Sequence, residues 1–577
     1  MFTSIYSGAV CGIEGRVICV EADISNGFPT YSLVGYLASE VKEARERVTA
    51  ALKNSGYPMP AKKIIINLSP AGMRKQGTAY DLPIALALLG SLGIIPQKKL
   101  ENVFAVGELS LDGSIRPVKG ILSQVLMAKK HGFASCIVPV SNLREASLAK
   151  SAGEELPNII GVASLQAACA FFSGAGCVEG IFTSLPEDRQ SGGLSDGAAP
   201  VCVRGTPGDA GMTDDAGIAG CARIADGAGI MPAVPGIAGN PGVAGGDFSE
   251  IVGQEVLKRA IVVAVSGMHH LLMIGPPGSG KSMSARAIQG ILPPLTFEES
   301  LEVTQLYSVA GILGQDCALV TRRPFRSPHH TVTVKAMTGG GQIATPGEIS
   351  LAHRGILFLD ELAEFPPALL EILRQPLEEG IITINRLHGS YVFPARFMLV
   401  AAMNPCKCGY YPDKNRCHCT SAEIYHYLHR ISRPLWNRID VCVEVHPPVK
   451  NIYQKEDIFN KKKQDLFLNR SGLDSRTMAR MVREARQIQV ARFQGSGIYF
   501  NSEMPAALLE KYCLMDKDAR GYADQLAQTL DLNMRGRHKL LKVARTIADL
   551  EGSELIYREH LDEAACYRMI EQSYWES

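Results

Sequence analysis

The chain has no apolar run of the ~18–20 residues needed to cross a bilayer, so an integral membrane protein is not expected. It also has no excess of either charge: 59 Lys and Arg stand against 58 Asp and Glu, for a net charge of +1. That balance excludes both a polycationic nucleic-acid coat and an acidic solvating chain, so any nucleic-acid contact must be local. The amino-terminal run MFTSIYSGAVCGIEGRVICVEADIS lacks a basic segment followed by a continuous apolar one, which makes the cytoplasm the expected location. Fifteen cysteines, an odd number scattered over a long chain, do not form a disulfide framework; free thiols with one metal cluster fit better. What is present is ordinary globular material, 46 % hydrophobic and 20 % charged over 577 residues. That length predicts several domains rather than one core.

Four segments are expected. Residues 1–174 mix strand runs such as VICVEADI and IIINL with helical runs such as VKEARERVTAALKNSG, and Asp112-Gly113 reads as a hairpin turn. Residues 175–246 change character. Between Ser173 and Gly246 lie 18 of the 56 glycines, among Ala, Pro and Asp without an apolar period, the composition of a flexible linker. Residues 247–450 return to an α/β pattern, and 451–577 are dominated by helical periodicity, as in MARMVREARQIQVARFQG.

The strongest chemical signal is HLLMIGPPGSGKSMSARAI, an apolar strand, a Gly-rich loop and a helix start. The loop Gly275-Pro276-Pro277-Gly278-Ser279-Gly280-Lys281-Ser282 has the P-loop pattern in its proper context. Backbone N–H groups near Gly278 and Gly280 approach phosphates, Lys281 reaches the β/γ-phosphates and Ser282 ligates Mg²⁺. Further on, Gly355-Ile-Leu-Phe-Leu-Asp360-Glu361 is a buried-strand run ending in two carboxylates, the position of a Walker B pair. Asp360 would hold Mg²⁺ and Glu361 would polarise the attacking water; the plain alternative is that Asp360 caps the next helix. A third apolar strand ends at Asn404, whose amide can hydrogen-bond the γ-phosphate or the water. Cys406-x-Cys408 and Cys417-x-Cys419 follow, two close pairs able to make a tetrahedral Zn²⁺ site or to remain reduced and metal-free. His418, between two of them, reads as exposed rather than ligating.

The order of P-loop, LFLDE and AAMNP resembles an AAA+ ATPase. The longer runs RPFRSPHHT, GEISLAHRGILFLDELAEFP, LRQPLEEG, FPARFMLVAAMNPC and KVARTIADLEG resemble the magnesium-chelatase-like YifB/ComM family. The resemblance implies an AAA+ P-loop core with a helical lid, a homohexameric ring with ATP and Mg²⁺ between subunits, and, from the competence members, a DNA helicase that drives branch migration. It places an arginine finger at Arg438, with Arg430 and Arg433 as competitors; the family usually reads Gly-Pro-Leu-Leu-Asp-Arg there, so Arg433, Trp436 and Asn437 are departures. The plain alternative pairs Arg438 with Asp440. Asn533-Met-Arg535 stands where the family has Ser-x-Arg, making Arg535 the sensor-2 residue and Arg537 the alternative.

Arg322, Arg323, Arg326, His329 and His330, followed by Lys335 and the Gly339–Gly341 loop, suit a central pore gripping a phosphate backbone; Arg326 and Lys335 are the candidate DNA contacts. Alternatively these groups are structural or touch nucleotide. The amino-terminal region GELSLDGSIRPVKGILSQVLMAKKHGF resembles the α+β Lon-protease (ribosomal S5 domain 2-like) fold. A serine–lysine dyad is absent from the matching stretches around Thr78–Asp81 and Gly120–Gln124, so this domain is expected to be noncatalytic, with Ser69 and Ser123 as ordinary hydroxyls. The expected function is an ATP-driven motor on branched or duplex DNA, without a membrane partner. The rival is a chelatase-type remodeller of a protein partner, since a shared fold does not settle function.

Overall fold

The computed structural model describes residues 2–149, 157–173, 180–182, 246–313, 319–341, 344–386, 389–446 and 473–575. The expected linker, 175–246, lies outside the described residues except for 180–182 and 246. The chain divides into two compact units: Met1–Ile237 with Thr304–Val320 and Asn385–Ser390, and Ala238–Val303 with Thr321–Ile384 and Tyr391–Ser577.

The first unit is built on strands β1 (Phe2–Cys11), β2 (Glu14–Ser25), β3 (Thr30–Val34), β4 (Lys63–Ser69), β5 (Val103–Ala105), β6 (Glu108–Leu109), β7 (Ile115–Arg116), β8 (Ser135–Pro139), β9 (Asn158–Val162) and β10 (Ile181–Phe182). Eight of them form one mixed sheet in the order β10-β9-β8-β5-β1-β2-β4-β3. In β2 the period of two sends Ile18, Val20, Ala22 and Ile24 to the buried face. The helix Asp81–Ser91 is buried along its whole length, as its unbroken apolar run requires. The hairpin β6–β7 turns at Gly113, whose φ of +89° suits glycine. β10 lies within the stretch expected to be a linker and pairs antiparallel with β9.

The stretch expected to lack a nucleophile has structural duties. Asp81 is buried and takes a forked ion pair from Arg47, Nε to Oδ2 at 2.7 Å and Nη2 to Oδ1 at 3.0 Å. Ser123 is buried, and its hydroxyl has no hydrogen-bond partner among the described residues.

The second unit carries β11 (Leu271–Ile274), β12 (Phe325–Arg326), β13 (Gly339–Gly340), β14 (Thr345–Pro346), β15 (Ile356–Leu359), β18 (Met398–Met403) and β19 (Val441–Glu444), and β16 (Ile381–Arg386) and β17 (Gly389–Pro394) pair with each other at the Asn385–Ser390 boundary between the units. Five strands form a parallel sheet in the order β12-β15-β18-β11-β19. β11, β15 and β18 are buried at every position, which explains why they read as continuous apolar runs: a parallel sheet is covered on both faces. A mixed α/β architecture with a parallel sheet fits an AAA+ core.

Helices Ser475–Arg492, Lys517–Thr529, Met534–Leu550 and Arg558–Trp575 follow. Asp474 and Asn533 cap two of them by accepting the N–H groups of Thr477 and Gly536. Met478, Val482, Leu540 and Ile547 from these helices join Ile261 and Val265 in one hydrophobic core with the sheet. A buried polar junction accompanies it. Lys539 Nζ lies 2.6 Å from Asp440 Oδ1, and Asp440 Oδ2 accepts the His270 N–H at 2.9 Å. His270 Nδ1 accepts the Leu399 N–H at 3.1 Å, and His269 Nε2 bonds Thr546 Oγ1 at 2.7 Å. Asp440 therefore belongs to Lys539 and His270, not to Arg438.

Candidate active site

The parallel sheet delivers three chain segments to one edge. β11 runs into the loop Gly275–Gly280 and then into the helix Lys281–Ala287; β15 ends at Leu359, just before Asp360, and β18 ends at Met403, just before Asn404. Because β11 is hydrogen-bonded to both β18 and β19 while β15 lies beyond β18, the loop after β11 stands where the strand order reverses at the carboxyl ends. The loop's glycines are needed for separate reasons. A Cβ on Gly275 would come within 2.2 Å of the Val445 carbonyl oxygen, whereas Gly278 and Gly280 take φ values of +74° and +91° and face open space.

Lys281 Nζ donates to the carbonyl oxygens of Gly275 and Pro276 at 2.7 and 2.8 Å and to Asn404 Oδ1 at 3.2 Å. Burial pushes its amine down to about 8, against the opposing pull of Asp360 and Glu361. Ser282 Oγ donates to Asp360 Oδ2 at 2.6 Å. Asp360 is thus joined to the Gly275–Ser282 loop; among the described residues its other oxygen accepts the adjacent Glu361 N–H, at 3.1 Å. Glu361 adopts φ +53°, a strained value for a residue with a side chain, of the sort that clusters at active sites. Its carboxylate lies 3.7 Å from His330 Nδ1.

The structure brings together Lys281, Ser282, Asp360, Glu361 and Asn404. Arg438 and Arg535 meet elsewhere, on Glu378. Arg438 donates to the Arg374 carbonyl at 3.1 Å, to the Pro434 carbonyl at 2.6 Å and to Glu378 Oε2; Arg535 donates to Glu378 Oε1 at 2.6 Å. The competitor Arg430 pairs with Glu364 at 3.3 Å, and the alternative Arg537 pairs with Asp524 at 2.5 Å. Neither Glu378 nor the approach of His330 to Glu361 was read from sequence: Glu378 sits in LRQPLEEG, a run with no local chemical signature.

Of the two candidate DNA contacts, Arg326 forks onto Glu348 at 2.7 and 2.6 Å, while Lys335 is exposed on the short helix Val334–Thr338. Arg323 is buried and forks onto Glu299 at 3.1 and 2.7 Å, a structural role.

The four cysteines after Asn404 converge. Sγ of Cys406 lies 3.3 Å from that of Cys408 and 3.7 Å from that of Cys417; Cys408 and Cys417 are 3.5 Å apart, and all four sulfurs fall within 4.8 Å of one another. Partial burial opposes ionisation of Cys408, yet hydrogen bonds from the Tyr410 backbone, Cys406 and the His418 backbone bring its thiol down to about 6.

Three family models match the chain: "Magnesium chelatase, subunit ChlI" over residues 247–452, "Subunit ChlI of Mg-chelatase" over 20–142, and "Magnesium chelatase, subunit ChlI C-terminal" over 472–568. The chain is 36 % identical to the protein YifB of Salmonella typhimurium over 570 residues, covering 98 % of this chain and 97 % of that one. It is 34 % identical to the competence protein ComM of Haemophilus influenzae over 570 residues, with the same coverage. The magnesium-chelatase 38 kDa subunit of Cereibacter sphaeroides is 24 % identical over 347 residues, 55 % of this chain and 89 % of that one.

Proposed function

The chain belongs to the magnesium-chelatase-like family of YifB and ComM, and from that membership we propose that it is an ATP-hydrolysing AAA+ motor acting on branched or duplex DNA. It assembles as a homohexameric ring with ATP held between subunits, and it promotes branch migration during natural transformation and recombination. Likeness to the competence protein ComM supports the DNA role.

One observation carries the catalytic half. The Ser282 hydroxyl and the Asp360 carboxylate, from different strand ends, are 2.6 Å apart beside Lys281 and Asn404. The residues fit a magnesium nucleotide. The donor set is all oxygen, as a hard cation prefers. The loop is open above Gly278 and Gly280, and the buried Ser279 hydroxyl has no partner among the described residues. Ser282 and Asp360 would hold Mg²⁺, which supplies charge neutralisation on the phosphate oxygens.

The chain's own groups do the rest. Lys281 and the loop N–H groups bind the phosphates. Glu361 orients the attacking water and polarises it, and Asn404 hydrogen-bonds the γ-phosphate or that water. Arg438 enters the neighbouring subunit's site as the finger, and Arg535 senses the nucleotide from the lid. The domains are 1–174, a noncatalytic Lon-protease-like module; 175–246, a linker apart from β10, which pairs with β9; 247–450, the ATPase core; and 451–577, the lid.

Likeness to magnesium-chelatase subunits supports a second reading, ATP-dependent remodelling of a protein partner. ATPase turnover with and without forked DNA, run beside a strand-displacement assay, decides between them. Stimulation by DNA with displacement is expected; stimulation by protein and by no DNA structure would select the second reading.

A further inference from the structure

The segment from Asn404 to Thr420 joins the end of β18 to the helix Ser421–Leu428, and it is short for the work it does. Thr420 caps that helix in a reciprocal capping box with Glu423, so the far end is pinned. Between the two ends the chain folds so that four cysteines point at one another. A tetrahedral centre with metal–sulfur bonds of about 2.3 Å separates its sulfurs by about 3.8 Å. The observed separations of 3.3, 3.5 and 3.7 Å approach that value and are far from the ~2.05 Å of a disulfide. The Tyr411 N–H donates to Cys406 Sγ at 3.4 Å, a backbone bond of the kind that fixes the orientation of a metal ligand.

The loop inside the cluster leans on the phosphate loop. A Cβ on Gly409 would come 2.5 Å from Pro277 Cδ and 2.8 Å from Cγ, and its φ is +86°. Asn404, two residues before the first ligand, accepts the Lys281 amine. The same short segment therefore touches the phosphate loop twice, through Gly409 on Pro277 and through Asn404 on Lys281.

We propose that Cys406, Cys408, Cys417 and Cys419 bind one Zn²⁺, and that the metal clamps the Gly409 loop and Asn404 against the phosphate loop. Four thiolates in a tetrahedron select Zn²⁺ or iron among biological cations. The clamp half rests on reading Gly275–Ser282 as a nucleotide cradle; the metal half does not.

The test uses the full chain purified without chelator. Elemental analysis should give about one zinc per chain, and Co²⁺ exchanged into the site should give the visible thiolate and ligand-field bands of tetrahedral sulfur coordination. Removing zinc with a mercurial should weaken binding of a fluorescent ADP analogue by roughly tenfold or more, the scale of effect expected when binding groups are displaced. Reducing the thiols and returning zinc should restore it. Gly409→Ala keeps all four thiolates, so it should retain zinc and the Co²⁺ spectrum while losing nucleotide affinity.

Protein without zinc that gives no tetrahedral Co²⁺ spectrum would overturn the metal site, and stoichiometric iron would overturn its assignment to zinc. Nucleotide affinity unchanged both by zinc removal and by Gly409→Ala would overturn the clamp. Zinc-replete protein that binds no nucleotide at all would sink the cradle reading and leave the metal site standing.

Discussion

Arg438 and Arg535 share one carboxylate, each donating through Nη2 to a different oxygen of Glu378. Glu378 lies on the helix Arg374–Glu379, whose first residue also accepts Arg438 Nε through its carbonyl. Two cations from different segments thus share one anion, which leaves the trio with a net charge of +1. Arg535 is 65 % exposed, so its bond is a weak surface pair, whereas Arg438 is only 12 % exposed and keeps two carbonyl partners without Glu378. Glu378→Gln should therefore leave Arg438 in place, remove the competing charge and raise ATP turnover. Exposed pairs are worth about 0.2–1 kcal/mol, which limits the gain to roughly fivefold. Arg438→Ala should instead lower turnover by about 10³-fold or more, as loss of a finger does. Steady-state ATPase assays of the two variants check both, and a Glu378→Gln variant as inactive as Arg438→Ala would show that the carboxylate positions the finger rather than restrains it.

Lys281 predicts a pH dependence. Its amine sits at about 8 in the folded chain because it is buried, despite the two carboxylates nearby. Phosphate binding favours the ammonium form, so nucleotide affinity should hold below pH 8 and fall above it, by about tenfold per pH unit in the limit. Titrating a fluorescent ADP analogue from pH 7 to 9.5 reads this directly. Lys281→Arg stays charged and should bind more weakly at pH 7 with a flat profile across the range.

Lys335 and Arg326 should separate under DNA titration. Lys335 is exposed, so Lys335→Ala should weaken binding to forked DNA and reduce the slope of log K against log salt by about 1. Arg326→Gln alone strands Glu348, its forked partner, and mixes folding with binding. Arg326→Gln combined with Glu348→Gln removes both charges. DNA affinity restored in that pair would identify Arg326 as structural; affinity still lost would identify it as a DNA contact.

What was legible in the sequence was whatever one chain segment states by itself. The strand, loop and helix around Lys281 announce themselves because an apolar run, three glycines and a helix start lie in immediate succession. Asp360 and Asn404 could be seen because each ends an apolar strand, and parallel strands end together. The cysteines could be grouped because their pairs are only eight residues apart. Contacts that need the whole fold were not visible. Glu378 is 60 residues from Arg438 and 157 from Arg535. The seat of Gly409 on Pro277 has no local signature either. Asp440 illustrates the limit of proximity: it lies two residues from Arg438, yet it points into the core towards Lys539.

That buried junction predicts how the second unit fails in acid. Burial holds His269 and His270 at about 4, against the attraction of Asp440 and with the help of Lys539 and Lys542. In the unfolded chain each titrates near 6.5. Between pH 6.5 and 4 the unfolded state therefore binds protons that the folded state refuses, so stability rises with pH across that window and is lost as pH falls through it. Asp440 resists burial and is held well below the usual carboxylate range by Lys539 and His270, so its own contribution persists through the same window. The two histidines together represent several kcal/mol at the acid limit, since one pKa unit is about 1.4 kcal/mol. His270 cannot accept the Leu399 N–H once protonated at Nδ1, which ties acid loss to the β18 backbone. The melting temperature should fall steeply between pH 6.5 and 5. His270→Asn can still accept the Leu399 N–H through its amide oxygen and does not titrate. It should melt lower than the parent at pH 7.5 but lose less on acidification. Parallel pH profiles for the two proteins would assign the acid sensitivity to groups outside this junction.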